Sequence, residues 1–235
     1  MNMTAADLLV VVPARGGSKR FARKNVLPLA GHSLLARTEM ALRAAGIDAP
    51  RILSTDDDEI AAEGRALGWL VPFRRPPELA GDDTPTLPVL MHAVDWFAAD
   101  RARDPSLVML LQPTSPLRGH EALSRGLDIL TAHSDLNAVV AVTSLERTGA
   151  TVFVFGDNRC LVPLAAGDNR QPLMTPNGAM YLIRTSILRR EHTLYPSRTA
   201  PLVLDSIASI DIDDEADWRL ANAALSAGLE GRCRA

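Results

Sequence analysis

Leu8-Leu9-Val10-Val11-Val12-Pro13-Ala14-Arg15-Gly16-Gly17-Ser18-Lys19-Arg20-Phe21-Ala22-Arg23-Lys24-Asn25-Val26-Leu27-Pro28 is the stretch on which the fold turns. Leu8 to Val12 is an unbroken apolar run rich in β-branched residues, the pattern of a strand buried on both faces. The segment that leaves it is polar and cationic. Paired glycines, Gly16 and Gly17, let the backbone bring its N–H groups close to a ligand, while Arg15, Lys19, Arg20, Arg23 and Lys24 concentrate positive charge. A Gly-Gly pair by itself reads as a simple turn. Five cations directly after a buried first strand point instead to an anion site at a strand end, of the size that suits a polyphosphate.

Two familiar phosphate motifs are excluded. Gly16-Gly17-Ser18-Lys19 lacks the spacing of a P-loop, and no G-x-G-x-x-G follows the first strand. The 235 residues suffice for one full core, so one α/β domain with a small appendage is expected. A net charge of −3 argues against nucleic-acid binding, since such proteins carry a basic excess or stripe. Cys160 and Cys233 are too far apart to suggest a disulfide framework or a zinc cluster, and free thiols fit a reducing compartment. Met1 to Asp7 carries no signal-like cationic and apolar segment, and no run approaches a membrane span. The expectation is a cytoplasmic protein with no membrane contact.

Working outward, Ser33 to Ala45 reads as a helix capped by His32 or Ser33 and ended by Gly46. Arg51 to Thr55 is a second strand; the cluster Ser54 to Asp58 starts a helix through Leu67. Trp69 to Phe73 reads as a third, short strand, and Arg74 to Pro85 as a long irregular loop, a candidate ligand wall. Thr86 to Phe97 has helical spacing, Val108 to Leu111 is a fourth strand, His120 to Ala132 a helix and Ala138 to Val142 a fifth strand. Alternation of this kind predicts a mostly parallel sheet covered on both faces. Beyond it, Thr151 to Phe155 and Cys160 to Leu164 form a hairpin pattern around Gly156-Asp157-Asn158, and Gly167 to Pro176 reads as loop. Ala179 to Ile183, Pro201 to Leu204 and Ser209 to Ile212 read as strands, Glu215 to Ala227 as the last helix, and the tail from Gly228 as frayed.

Such an order brings the strand-end loops to one edge, where open α/β sheets bind ligands. Arg75 offers a planar donor fork there, or is a surface arginine; Gln112, just after Val108-Met109-Leu110-Leu111, can donate to and accept from a substrate, or cap the next turn. Asp211 and Asp213 form a D-x-D pair whose carboxylates share a face if the segment is a strand, a pattern suited to Mg²⁺ holding substrate phosphates. Local sequence favours the other reading, in which Asp213, Asp214 and Glu215 start a helix. The five histidines have no metal spacing, and no G-x-S-x-G is present.

Taken together, Pro13 to Lys19 with Lys24-Asn25, Ser54 to Asp57, Arg75-Pro76-Pro77-Glu78-Leu79-Ala80 with Asp82 or Asp83 and Thr84, Leu111 to Arg118, Asn177-Gly178-Ala179-Met180-Tyr181 and Asp211-Ile212-Asp213 resemble the acylneuraminate cytidylyltransferase family, from the first strand to the last helix. The resemblance implies a Rossmann-like three-layer α/β sandwich of the nucleotide-diphospho-sugar transferase type. Its nucleotide-binding domain would span 1–143 and 177–235, and a small β dimerisation insertion 144–176. It implies CTP and a small acidic sugar of the nonulosonic class as substrates, Mg²⁺ as cofactor and a homodimer. By the same resemblance Arg15, Gly16, Gly17, Ser18, Lys19 and Lys24 hold the triphosphate, and Asn25, Arg75 and Thr84 or Thr86 the cytidine. Gln112, Tyr181, Arg170 and Gln171 face the sugar acid, Asp211 and Asp213 hold the metal, and Lys24, Arg15 and Asp211 carry the catalysis. Arg20 and Arg23 fall to the solvated face. The sequence departs from the family in Leu145 to Ala150, which lacks a frequent Pro-aromatic pair, and at Thr175-Pro176, where an aromatic is frequent; both bear on which acid is used. Two rivals stay open: a cytidylyltransferase for an octulosonate or phosphonate acceptor, and a nucleotide-sensing module without turnover.

Overall fold

The alternation of Leu8–Pro13 (β1) feeds two separate cores. Leu8, Val10 and Val12 point into a layer containing Leu35, Leu42, Ile60 and Leu123, whereas Leu9 and Val11 point to Leu90, Val94, Phe97 and Leu188 on the other side. Burial on both faces is why the run has no polar alternation, and each such Val or Leu contributes about 1.5–3 kcal/mol. The computed structural model describes residues 8–17, 21, 23–145, 153–155, 161–163, 173–229, 231 and 233.

One layer of helices contains Leu34–Ala44 (α1), Asp58–Ala66 (α2) and His120–Ala132 (α4); the other contains Thr86–Arg101 (α3) and Thr185–Glu191 (α5). Between them lies a six-stranded sheet in the order β2-β1-β3-β7-β4-β8, with Arg51–Ser54 (β2), Leu107–Leu110 (β3), Ala138–Leu145 (β4), Leu173–Arg184 (β7) and Thr199–Val203 (β8). β1 pairs parallel with β2 and β3, and β4 parallel with β8; β7 is antiparallel to both β3 and β4. The expected three-layer, mostly parallel architecture is therefore present with one reversed strand at its middle. Reversal has a functional consequence: Tyr181 sits opposite Leu110, so Asn177 and Gly178 lie at the edge where β1 and β3 end.

Helix starts follow their capping residues. Ser33 accepts from the Ala36 N–H at 3.0 Å and starts α1; Asp57 accepts from the Glu59 and Ile60 N–H groups at 2.9 and 3.0 Å and starts α2. Glu215–Ser226 (α6) begins at a capping box in which Asp214 and Asp217 satisfy each other's backbone donors.

Several expectations are corrected. Trp69 to Phe73 is not a strand: Leu70 alone bridges Ile52, beside the β2 edge, and Pro72 lacks the donor to continue a ladder. Ser209 to Ile212 is not a strand either; it is irregular chain anchored by the Ile212 N–H on the Thr114 carbonyl at 2.8 Å. Residues 173–176, expected as loop, extend β7, and the β4–β7 ladder continues to Leu145 opposite Leu173. The expected domain boundaries at 143/144 and 176/177 fall inside this ladder. Phe153–Phe155 (β5) and Leu161–Pro163 (β6) form the expected antiparallel hairpin strands; the turn between them lies outside the described residues. The tail is not wholly frayed. Cys233 bridges Leu204, and Gly231 runs so close to the Leu117 carbonyl and Ala208 that a β-carbon would not fit. No helix among the described residues is long and apolar enough to cross a membrane.

Candidate functional site

β1, β2 and β3 end at one edge, and their following loops meet around a cleft lined by Pro13, Arg15, Arg75, Leu79, Gly81, Asp82, Thr84, Thr86, Val89, Gln112, Pro113 and Thr114. This is the strand-end position at which open α/β sheets bind ligands. Arg15, Arg75, Thr84, Thr86 and Gln112, all expected at the site, share this cleft. Ser18 and Lys19, and likewise Arg170 and Gln171, lie outside the described residues.

In the first loop the Arg15 guanidinium pairs with Asp82 across the cleft, and the Gly16 N–H donates to Asp56 Oδ1 at 3.0 Å. Two groups able to hold an anion thus face carboxylates of the same protein. Gly16 is confined: a β-carbon there would stand 2.5 Å from Asp57 Oδ2, whereas one on Gly17 would meet nothing within 4 Å. Asn25 is buried and donates from Nδ2 to the Arg15 carbonyl at 3.1 Å, so its side chain shapes the loop. Arg23 is exposed at φ +58° and pairs with Glu59, as a solvated residue does.

Arg75 is 5% exposed. Its Nε donates to Ser54 Oγ at 3.0 Å, a second nitrogen donates to the Ser54 carbonyl, and burial pulls the guanidinium down to about 10 against the opposing pull of Asp56. Held on the end of β2, the fork presents a rigid, cationic wall to the cleft.

Lys24 leaves Arg15 and reaches the far side of the site. Its Nζ donates to the Ile212 carbonyl at 2.7 Å and lies 3.4 Å from Asp213 Oδ1. Because Asp214 and Asp217 form the cap of α6, the Asp211 and Asp213 carboxylates are not consumed in starting that helix. Asp211 keeps an exposed surface, yet protein atoms crowd its carboxyl and lift it above the usual range, opposed by a hydrogen bond from the Thr114 side chain and by the charge of Lys24. No group of three or more His, Cys, Asp or Glu side chains among the described residues could hold a metal by itself.

At the end of β7, the Gln112 side chain fills the space a β-carbon on Gly178 would need, and Gly178 has φ +77°. Only glycine fits both demands. Ser115 Oγ donates to the Asn177 carbonyl at 3.3 Å, and Asn177 Nδ2 donates to Ser209 Oγ at 2.9 Å, which ties the β7 end to the neighbouring loops. Tyr181 is nearly buried; its hydroxyl lies 3.5 Å from that of Tyr195, with ring centroids 5.9 Å apart at 67°. Burial pushes the Tyr181 phenol up, keeping it neutral. Tyr195, 53% exposed, lies in the connection from α5 to β8 and carries no periodicity or motif that could have marked it in the sequence. Arg118 is the other residue that sequence reasoning left without a role. Its position at the end of the Gln112 loop was the available signal.

A family model described as cytidylyltransferase matches residues 9–166. A CMP-N,N'-diacetyllegionaminic acid synthase of Legionella pneumophila is 31% identical over 95% of this chain and 98% of its own length. An N-acylneuraminate cytidylyltransferase of Streptococcus agalactiae is 27% identical over 89% of this chain, which spans 51% of that longer relative. Among solved structures, a CMP:2-keto-3-deoxy-manno-octonic acid synthetase complexed with CTP superposes with a TM-score of 0.68 over 94% of this chain and 99% of the other, at 15% identity, a likeness of fold.

Proposed function

This chain belongs to the cytidylyltransferase family, and from that membership we propose that it couples CTP to the anomeric hydroxyl of a nonulosonic, sialic-acid-like acid, releasing pyrophosphate. The observation that carries this reading is the cleft at the strand ends that Arg15, Arg75 and Gln112 line together. A cationic donor for the triphosphate, a guanidinium for the cytidine and an amide for the acceptor thus line one cleft. The relatives named for legionaminic and acylneuraminic acids support the choice of acid.

Arg15 and Lys24, with Lys19 and the N–H groups of the glycine pair, bind the phosphates; Arg75, Asn25, Thr84 and Thr86 frame the cytidine. Asp82 and Asp56 hold Arg15 and the Gly16 N–H until the nucleotide takes their place. Gln112 and Tyr181, with Arg170 and Gln171, orient the acid so that its hydroxyl meets the α-phosphorus in line with the departing pyrophosphate. Positioning and fixed positive charge supply most of the acceleration in such transfers.

Asp211 and Asp213 fit a Mg²⁺ ion. That ion takes one or two carboxylates and completes its shell with water and substrate phosphates, so the absence of a third protein carboxylate among the described residues is no obstacle. When bound, it would neutralise phosphate charge and acidify a nearby hydroxyl. Lys24, 3.4 Å from Asp213 Oδ1, links the loop after β1 to this pair. We assign residues 144–176 to a small dimerisation insertion whose two ends are carried on the β4–β7 ladder, and the active form to a homodimer.

The test is pyrophosphate release from CTP with a divalent cation and a panel of nonulosonic acids, with octulosonate and phosphonate acceptors alongside. Release with a nonulosonic acid is expected. CTP binding without release from any acid would refute the enzymatic reading, and release confined to octulosonate or phosphonate would refute the acceptor class.

A further inference from the structure

Among the described residues, Arg118 is the one large cationic side chain that is fully buried, at 2% exposure. Its hydrogen bonds go to neutral oxygens rather than to a carboxylate. One terminal nitrogen donates to Thr38 Oγ1 at 3.2 Å, the other donates to the Gln112 carbonyl, and Nε has no partner. A guanidinium placed so is expensive to bury, because two neutral oxygens return only part of the hydration it lost and no carboxylate bonds to it. Burial pulls it down to about 9, and the charge that opposes this is Asp211.

Its neighbours explain what the burial achieves. The Gln112 carbonyl belongs to the residue whose side chain reaches the cleft against Gly178. Two residues on, the Thr114 carbonyl accepts the Ile212 N–H at 2.8 Å, and the Thr114 side chain hydrogen-bonds Asp211. Lys24 closes the frame on the Ile212 carbonyl at 2.7 Å. Thus Gln112, Asp211 and Lys24 hang on one scaffold of short polar contacts, and Arg118 lies behind it.

We propose that Arg118 is a positioning residue for the transfer reaction: its hydrogen bonds to the Gln112 carbonyl and Thr38 Oγ1 fix the turn that carries the acceptor amide and, through the Thr114 carbonyl, the chain beside the metal-side carboxylate, without touching substrate. This rests on the roles proposed above for Gln112 and Asp211. It separates the two halves of the site, since Arg15 and Arg75 are held by other partners.

The test compares wild type, Arg118→Met and Arg118→Lys in the pyrophosphate-release assay with CTP and the acid that wild type uses. Arg118→Met is expected to keep or raise the melting temperature, because an apolar chain of similar length replaces a buried, unpaired charge. Its kcat should fall about 100-fold, as a displacement of about 1 Å at reacting groups does, with acid KM raised about 10-fold and CTP KM within about 2-fold. Arg118→Lys should recover part of the kcat, since an ammonium keeps the charge and can reach one of the two oxygens. Wild-type kcat and acid KM in Arg118→Met would overturn the proposal, as would equal damage to CTP and acid parameters with no recovery in Arg118→Lys. If Arg118→Met does not fold, Arg118→Lys decides alone: a raised acid KM with unchanged CTP KM supports the proposal, and unchanged values overturn it. No release by wild type with any acid overturns the functional reading itself, an outcome distinct from an active wild type with an indifferent Arg118→Met.

Discussion

Gly178→Ala is the substitution that couples backbone geometry most directly to the acceptor side. At φ +77° an alanine pays the left-handed penalty of about 1–2 kcal/mol. For a protein of this size that lowers Tm by roughly 2–8 °C. The new methyl also claims the place of the Gln112 side-chain oxygen and stands 3.3 Å from Ser115 Oγ. Because the obstructing atom is the tip of a flexible side chain, the clash is relieved by rotating Gln112 away, so its effect falls on binding rather than on stability. Losing one neutral hydrogen bond to the acid costs about 0.5–1.5 kcal/mol, a rise in acid KM of about 2- to 10-fold. CTP KM should stay within about 2-fold of wild type, since such a change removes uniform binding on one substrate only. Gly46→Ala is the matched control: φ is +66° with nothing within 4 Å of the β-carbon, so Tm falls and both KM values stay. Thermal melts and two-substrate kinetics read all of this. An unchanged acid KM in Gly178→Ala, together with the expected fall in Tm, would refute the claim that Gly178 keeps Gln112 aimed at the acceptor.

Asp82→Asn removes the carboxylate facing Arg15. Both partners are about one-third exposed, so the pair is worth at most about 1 kcal/mol, and CTP should bind up to about 5-fold tighter by calorimetry at low salt, with the gap shrinking as salt rises. Gly16→Ala pushes a methyl against the Asp57 carboxylate that caps α2; loss of that cap costs about 1 kcal/mol, and CTP KM should rise while acid KM holds, whereas equal melting temperatures would disprove the contact. Asp211 has a raised folded value, so the stability it favours is present below the usual 3.8 and is lost as pH rises through the folded value. In chelator, the melting temperature of wild type relative to Asp211→Asn should therefore be highest in acid and fall as pH rises to neutral; a relative rise toward neutral pH would contradict the crowding of this carboxyl.

Local chemistry made much of the protein legible. The apolar run of β1 needs no partner to be recognised, and Ser33, Asp57 and Asp214 start helices through bonds to their own next few residues. The strand-end order that gathers Arg15, Arg75 and Gln112 follows from β/α alternation, which is also local. Short elements failed where a distant segment decided them. Trp69 to Phe73 has strand composition but only one residue beside the β2 edge, and Ser209 to Ile212 is held by Thr114 instead of a ladder.

Within the site, residue types alone marked the loop after β1 as a candidate anion site, because a loop of arginines, lysines and glycines has few other uses after a buried strand, and the individual roles came from the family resemblance. Which groups face each other was decided only by tertiary structure. Lys24 lies one residue from Asn25 yet serves the Asp213 side 189 positions away, while Asn25 turns back to the Arg15 carbonyl. Arg118 acquired its place through Thr38 of α1, 80 positions away, and Tyr195 through Tyr181 of β7, 14 positions away across α5. Contacts of that range depend on how the sheet brings its strand ends together, and no periodicity, cap or turn preference in the chain encodes that meeting.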